Sequence, residues 1–294
     1  LSSNRVVLAL DGAGVTISDL STSYNAAAQL LTITAARSQG TISTAPPSIT
    51  GIGVNNTNDT ITVNLAKIKN FAGISVLGGA GTDSVTIGGV NLAAVTRGAA
   101  NQAFVIDSGA GFSDVINVAS AVSAKGTGAV SLSTVATTGS GILLAAAVTS
   151  PKGSQTYAGP VTLAADTSLT AGQDISFLAT VDGAKRLTLS AGRAITLAGA
   201  VGASAPLQGL TLAAAKSVTI NDAIALDGTG TAPGTSGLVI GKGVNNVVFA
   251  PTTKLASTIS NFGGAGIKFL GGSTGSLIQG VTSRNNGIGL QMLP

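Results

Sequence analysis

Three self-similar segments in the middle of the chain constrain its fold more than any other feature. LTAGQDISFLATV (Leu169–Val181) recurs as LSAGRAITLAGAV (Leu189–Val201), so that Ile175, Phe177 and Val181 match Ile195, Leu197 and Val201 at a shift of 20 residues. LTLSAGRAITLAGAV (Leu187–Val201) then aligns with LTLAAAKSVTINDAI (Leu210–Ile224) at a shift of 23, placing Arg193 over Lys216 and Thr196 over Thr219. Within each copy apolar and small polar residues alternate, as in Leu187, Leu189, Ile195 and Leu197. Alternation of this kind belongs to a strand with one buried face. Turns at Gly183, Gly192, Gly199 and Gly202 punctuate the runs. A unit of this length made of two or three short strands is one coil of a β-solenoid, stacked on the next at about 4.8 Å.

The reading is therefore all-β: a β-solenoid or right-handed parallel β-helix over the middle and C-terminal parts. The N-terminal third is β-rich, either as a meander or as further solenoid coils. Four regions are expected: a β-rich module with Gly/Asp turns over 1–120, a connecting β-rich segment over 121–155, the repeats over 156–228, and β-helix-like coils over 229–294. In the last region Gly266-Ile267-Lys268-Phe269 matches Gly287-Ile288-Gly289-Leu290 at a shift of 21, with Leu277, Ile278 and Val281 as further inward positions. Asn285 and Asn286 fall where a coil must turn, a place asparagine tolerates. Near the N-terminus, RVVLALDGAGVTISDL (Arg5–Leu20) reads as strand, Asp-Gly turn, strand, which is a hairpin signal.

Composition narrows the function. The chain is 44% hydrophobic but only 9% charged and 3% aromatic, with 41 Gly, where soluble domains carry about 25% charged residues. All 11 acidic residues are Asp, and there is no Glu, His, Cys or Trp. Absence of Glu argues against long exposed helices. Absence of His excludes a Ser–His–Asp triad, and absence of Cys excludes disulfides and thiolate sites. The net charge of +4 comes from scattered basic residues, without the aromatic platforms that stack bases, so no nucleic acid partner is expected. The longest apolar run, GILLAAAV (Gly141–Val148), falls far short of a membrane span.

The segment QTYAGPVTLAADTSLTAGQDISFLATVDGAKRLTLSAGRAITLAGAVGASAPLQGLTL (Gln155–Leu212) resembles the β-strand repeats of very large bacterial surface proteins. These are the filamentous-haemagglutinin-like and autotransporter-like adhesins and the giant repeat proteins of planctomycete type. NDTITVNLA and GGAGTDSVTI resemble modules that precede such repeats, and the last 60 or so residues resemble right-handed parallel β-helices. The resemblance implies a non-catalytic, extracellular structural or adhesive segment of a bacterial cell surface. The alternative is a polysaccharide-binding or polysaccharide-degrading parallel β-helix. The carboxylate pairs it would use are Asp174 with Asp222 or Asp222 with Asp227, but neither lies in a recognisable hydrolase motif, and turn capping explains Asp222 and Asp227. The chain is therefore expected not to be an enzyme and to require no cofactor.

One metal is a candidate. Gly78-Gly79-Ala80-Gly81-Thr82-Asp83-Ser84-Val85-Thr86 fits the nonapeptide pattern of calcium-loaded β-rolls. Ca²⁺ takes about six to eight oxygens, so one such loop must stack on another. The nearest relatives surround Asp59 and Asp114, at spacings of 24 and 31 residues, neither a multiple of nine. Asp59, Asp83 and Asp114 are the calcium candidates if each begins a strand in successive layers; otherwise the motif is a glycine turn feeding the strand Val85–Ile87.

Neither terminus offers the polar cap that a solenoid requires. Together with a mean hydropathy of +0.49, this predicts a homo-oligomer or homopolymer joined through strand edges and uncapped ends. The alternative is a segment excised from a longer protein, and surface glycans are a further partner class.

Overall fold

The computed structural model describes residues 5–45, 49–50, 59–65, 70–79, 81–109, 111, 113–135, 139–249, 251 and 256–294; the side chains at 11–14, 37–45, 49–50 and 59–63 lie outside it. Among the described residues there is no helix, and long parallel-strand sheets dominate, as in a solenoid-like fold. The chain divides into two compact units, Leu1–Gly159 and Pro160–Pro294.

In the first unit the strands fall into parallel columns. Arg5–Asn25 pairs in register with Gly73–Leu77, which pairs with Ala103–Asp107, then Val130–Ser133, then Gln155–Ala158. A second column runs from the later half of Arg5–Asn25 through Ser84–Asn91, Val115–Val118 and Gly141–Leu144. A third joins Val90 to Val122 and Val122 to Val148. Inward positions stack on like positions: Val76, Ile106, Leu132 and Tyr157 form one buried file, and Ile87, Val118 and Leu144 another. Each such aliphatic side chain contributes about 1.5–3 kcal/mol by leaving water. Tyr157 is fully buried because its hydroxyl donates to Gln155 Oε1 (2.9 Å), while Gln155 Nε2 donates to the Val148 carbonyl (2.9 Å). Burial pushes its phenol well above the ordinary range, so it stays protonated.

The N-terminal third combines both expected arrangements. The strand Arg5–Asn25 is parallel to the coils on one edge and antiparallel to Leu30–Ala45 on the other; Asp59–Asn64 then extends the antiparallel layer. The parallel stack of this unit is thus covered at its first layer by a hairpin, where the sequence predicts no cap. The hairpin turn also lies elsewhere than predicted. The chain passes Asp11-Gly12 without reversing, and the reversal falls between Asn25 and Leu30, where Asn25 Oδ1 accepts the Ala28 amide (3.0 Å) and Gln29 takes a φ of 55°. The register shift between Asp11 and Thr16 is instead a coil corner. An Asp-Gly pair relaxes the backbone for either kind of bend, and the next layer decides which one forms.

In the second unit Thr167–Ala171, Arg186–Ala191, Gly209–Ala214, Leu238–Ile240, Ala265–Phe269 and Ile288–Met292 form one parallel column. Ile175–Phe177, Ala194–Leu197, Ser217–Ile220, Val247–Phe249 and Leu277–Ile278 form a second. Ile175 pairs with Ile195, Leu187 with Leu210 and Thr196 with Thr219, the registers read from the repeats. The last coil departs from prediction: Ile267 stacks on Leu290, a shift of 23, rather than on Ile288. A two-residue slip keeps every side chain on its own face, so alternation alone cannot choose between the two registers. The observed one sets Met292 beneath Phe269. Leu277 also points outward, stacked on the half-exposed Val248, because its neighbour Ile278 takes the inward position under Phe249.

Candidate functional site

The motif around Asp83 forms one of a set of stacked corners in the first unit. Each corner joins two parallel columns: Leu77 pairs with Asp107 before the bend, and Ser84 pairs with Val115 after it. The corner ending in Asp114 is one residue longer than that ending in Asp83, and Ser113, just before Asp114, adopts a φ of 62°. Asp83 and Asp114 therefore coincide in register even though their 31-residue spacing fits no nonapeptide period.

A ladder of polar side chains runs through these corners. The Val15 amide donates to Asp83 Oδ1 (2.8 Å), the Asp83 amide to Asp114 Oδ1 (2.8 Å), and the Asp114 amide to Ser140 Oγ (3.0 Å). The Gly79 amide donates to Asp83 Oδ2 (3.3 Å). Each side chain thus satisfies an amide that the bend removes from the regular strand ladder, as buried backbone groups require. Asp83 is 3% exposed and Asp114 0%. Burial raises the Asp83 carboxyl above its ordinary range; the amides of Val15 and Gly79 oppose the rise, and the neighbouring Asp114 carboxylate adds to it.

Two oxygens at this corner are buried with no hydrogen-bond partner: Asp114 Oδ2 and Ser108 Oγ. Glycine brings the layers close enough to crowd oxygens there. A methyl group on Gly111 would lie 2.1 Å from the Gly81 carbonyl oxygen and 2.7 and 2.9 Å from the two Asp114 carboxylate oxygens. One on Gly78 would lie 2.1 Å from the Ser108 carbonyl oxygen and 2.8 Å from Asp83 Oδ2.

Of the three calcium candidates, Asp83 and Asp114 are brought together. Asp59 opens an antiparallel strand opposite Ala35, and its side chain lies outside the described residues. Among the described residues no three Asp side chains cluster, so this corner brings together two acidic residues and no third. Sequence reasoning missed Ser140 and Ser108. The signal for Ser140 was its place just before the strand Gly141–Leu144, the same place that Asp114 holds before Val115–Val118.

The carboxylates weighed for hydrolysis are engaged at other turns. Asp174 pairs with Arg193, whose Nε donates to Oδ1 (2.8 Å), and the guanidinium holds the carboxyl below its usual range. Asp222 Oδ1 accepts the Ala223 amide (2.7 Å). Asp227 Oδ1 accepts from the Thr229 amide (2.9 Å), the Thr229 hydroxyl (2.7 Å) and Asn261 Nδ2 (3.0 Å), and donation from Asn261 lowers its carboxyl pKa. No known family, no characterised protein and no solved structure matches the chain.

Proposed function

We propose that the chain is a non-catalytic, extracellular structural or adhesive segment of a bacterial cell surface, of the adhesin-like repeat class, wound as a right-handed parallel β-helix. Right-handed crossovers are favoured by the twist of parallel strands. The reading further holds that the protein self-associates through an open strand edge. The observation that carries it is the last coil of the second unit. Ile288, Leu290 and Met292 stack beneath the inward positions Ala265, Ile267 and Phe269, yet they are 46%, 57% and 70% exposed. Leu290 and Met292, with Ile267, Phe269 and Ile278, line an open hollow of about 710 Å³. An apolar face and strand edge of this kind is completed by a further β layer, supplied by a second copy or by more of the same chain.

Electron microscopy and light scattering across a concentration series test this reading. Filaments or discrete dimers that dissociate on Leu290→Lys are the expected result. Monomers at every concentration would refute self-association and leave only the structural part of the proposal.

A further inference from the structure

The geometry points to a binding site for one hard divalent cation, of the calcium class, at the Asp83–Asp114 corner of the first unit. This inference does not depend on the proposed self-association. Two carboxylates stand in adjacent layers, both essentially removed from water, and no cationic side chain pairs with either among the described residues. Buried charge of one sign is not tolerated without a proton, a counter-charge or a metal. Backbone amides answer three of the four carboxylate oxygens: both oxygens of Asp83, and Oδ1 of Asp114. The fourth, Asp114 Oδ2, is buried without a donor, and so is the Ser108 hydroxyl oxygen.

Besides these three amide donors, carbonyl oxygens stand in the corner. A methyl group on Gly111 would meet both the Gly81 carbonyl oxygen and the Asp114 carboxylate, and one on Gly78 both the Ser108 carbonyl oxygen and Asp83 Oδ2, so each carbonyl oxygen shares a glycine's immediate surroundings with a carboxylate. Carboxylate, carbonyl and hydroxyl oxygens without nitrogen or sulfur are the donor set of Ca²⁺ rather than of a transition metal. Asp114 Oδ2 is the principal ligand, with Asp83 Oδ2 (its 3.3 Å bond from Gly79 being the weakest of the ladder) and the Ser108 hydroxyl as supporting ones.

Isothermal titration of the full chain with CaCl₂ at neutral pH, paired with melting curves in calcium and in chelator, tests the site. Binding of about one ion per chain and a higher melting temperature in calcium are expected. Asp114→Asn should weaken binding by at least about tenfold, a loss seen even for outer-shell partners. It should melt in chelator no lower than the parent, because its amide keeps the Oδ1 acceptor and removes the charge. Ser108→Ala, which leaves both acids in place, should bind more weakly while remaining folded, and so serves if Asp114→Asn does not fold. Full-strength binding by Asp114→Asn would overturn the assignment. So would a parent protein whose melting is indifferent to calcium but rises on acidification, which would show that the pair holds a proton instead.

Discussion

Both units of this molecule carry a ladder of polar side chains where their coils bend, and the two ladders solve one problem with different chemistry. In the second unit the rungs are Asp227, Asn261 and Asn285: Asn261 Nδ2 donates to Asp227 (3.0 Å), and Asn285 Nδ2 donates to Asn261 Oδ1 (3.4 Å). The single acid lies beside an amide that both donates and accepts, so the file can continue with every rung satisfied. In the first unit the rungs are Asp83, Asp114 and Ser140, and two acceptor-only groups are adjacent. The backbone amides of the bend answer most of the acidic oxygens, but not Asp114 Oδ2. Asn261 and Asn285 take positive φ values of 64° and 53° at exposed turns, whereas Asp83 and Asp114 are buried. An amide ladder is thus complete by itself, while a buried acid ladder needs something further.

The contrast can be broken from either side. The largest effect is expected from Asp83→Ala, which leaves the amides of Val15 and Gly79 without acceptors and should destabilise by about 2–4 kcal/mol in chemical denaturation. Asp83→Asn retains one acceptor oxygen and should cost clearly less. If the two substitutions prove equal, the carboxylate is not capping those amides. Next comes Gly111→Ala, which forces a methyl group against the Gly81 carbonyl and the Asp114 carboxylate and should cost about 1–3 kcal/mol. A neutral result would show that the two corners are less tightly apposed than described.

Converting the amide ladder into an acid one is a milder change. Asn261→Asp removes the donor to Asp227 and sets two carboxylates side by side, but the turn is exposed and solvent screens the repulsion. The expected loss is about 1 kcal/mol or less at neutral pH. A larger loss would place that turn in a drier environment than its exposure indicates.

The pH dependence has opposite signs in the two units and is the smallest effect. Asp174 and Asp227 have lowered folded values, so their contribution is present above the unfolded carboxylate value of about 4 and disappears as pH falls through the folded values. Asp83 has a raised value, so its unfavourable ionisation is absent below the unfolded value and sets in as pH rises through the folded one. In chelator, melting temperature should rise as pH is lowered from neutral and fall again under strong acid. The initial rise should vanish in Asp83→Asn. A monotonic fall on acidification in the parent protein would contradict the sign assigned to Asp83.

Much of this was legible in the sequence where repeats were close copies. Ile175 over Ile195 and Leu187 over Leu210 follow from matching residues with matching parity, because inward apolar files tolerate only in-register stacking. The alliance of Asp83 with Asp114 was readable from the glycine-rich run before each, although the extra residue concealed the register that pairs Ser84 with Val115. What escaped had a physical reason. Asp11-Gly12 permits a hairpin turn and a coil corner alike, and only the layer formed by Gly73–Leu77 and Ser84–Asn91 selects the corner. The shift of Ile267 onto Leu290 preserves side-chain parity, so no alternation pattern could detect it. The Asp227–Asn261–Asn285 file was hidden because its rungs are separated by coils of unequal length, 34 and 24 residues.

Hydrogen exchange at the two ladders, with and without calcium, tests most directly the claim that the acid ladder requires a cation and the amide ladder does not. Calcium is expected to slow exchange of the Val15, Asp83 and Asp114 amides, while those of Thr229 and Phe262, which donate to Asp227 and Asn286, stay unchanged. Equal protection of both sets with and without calcium would contradict it.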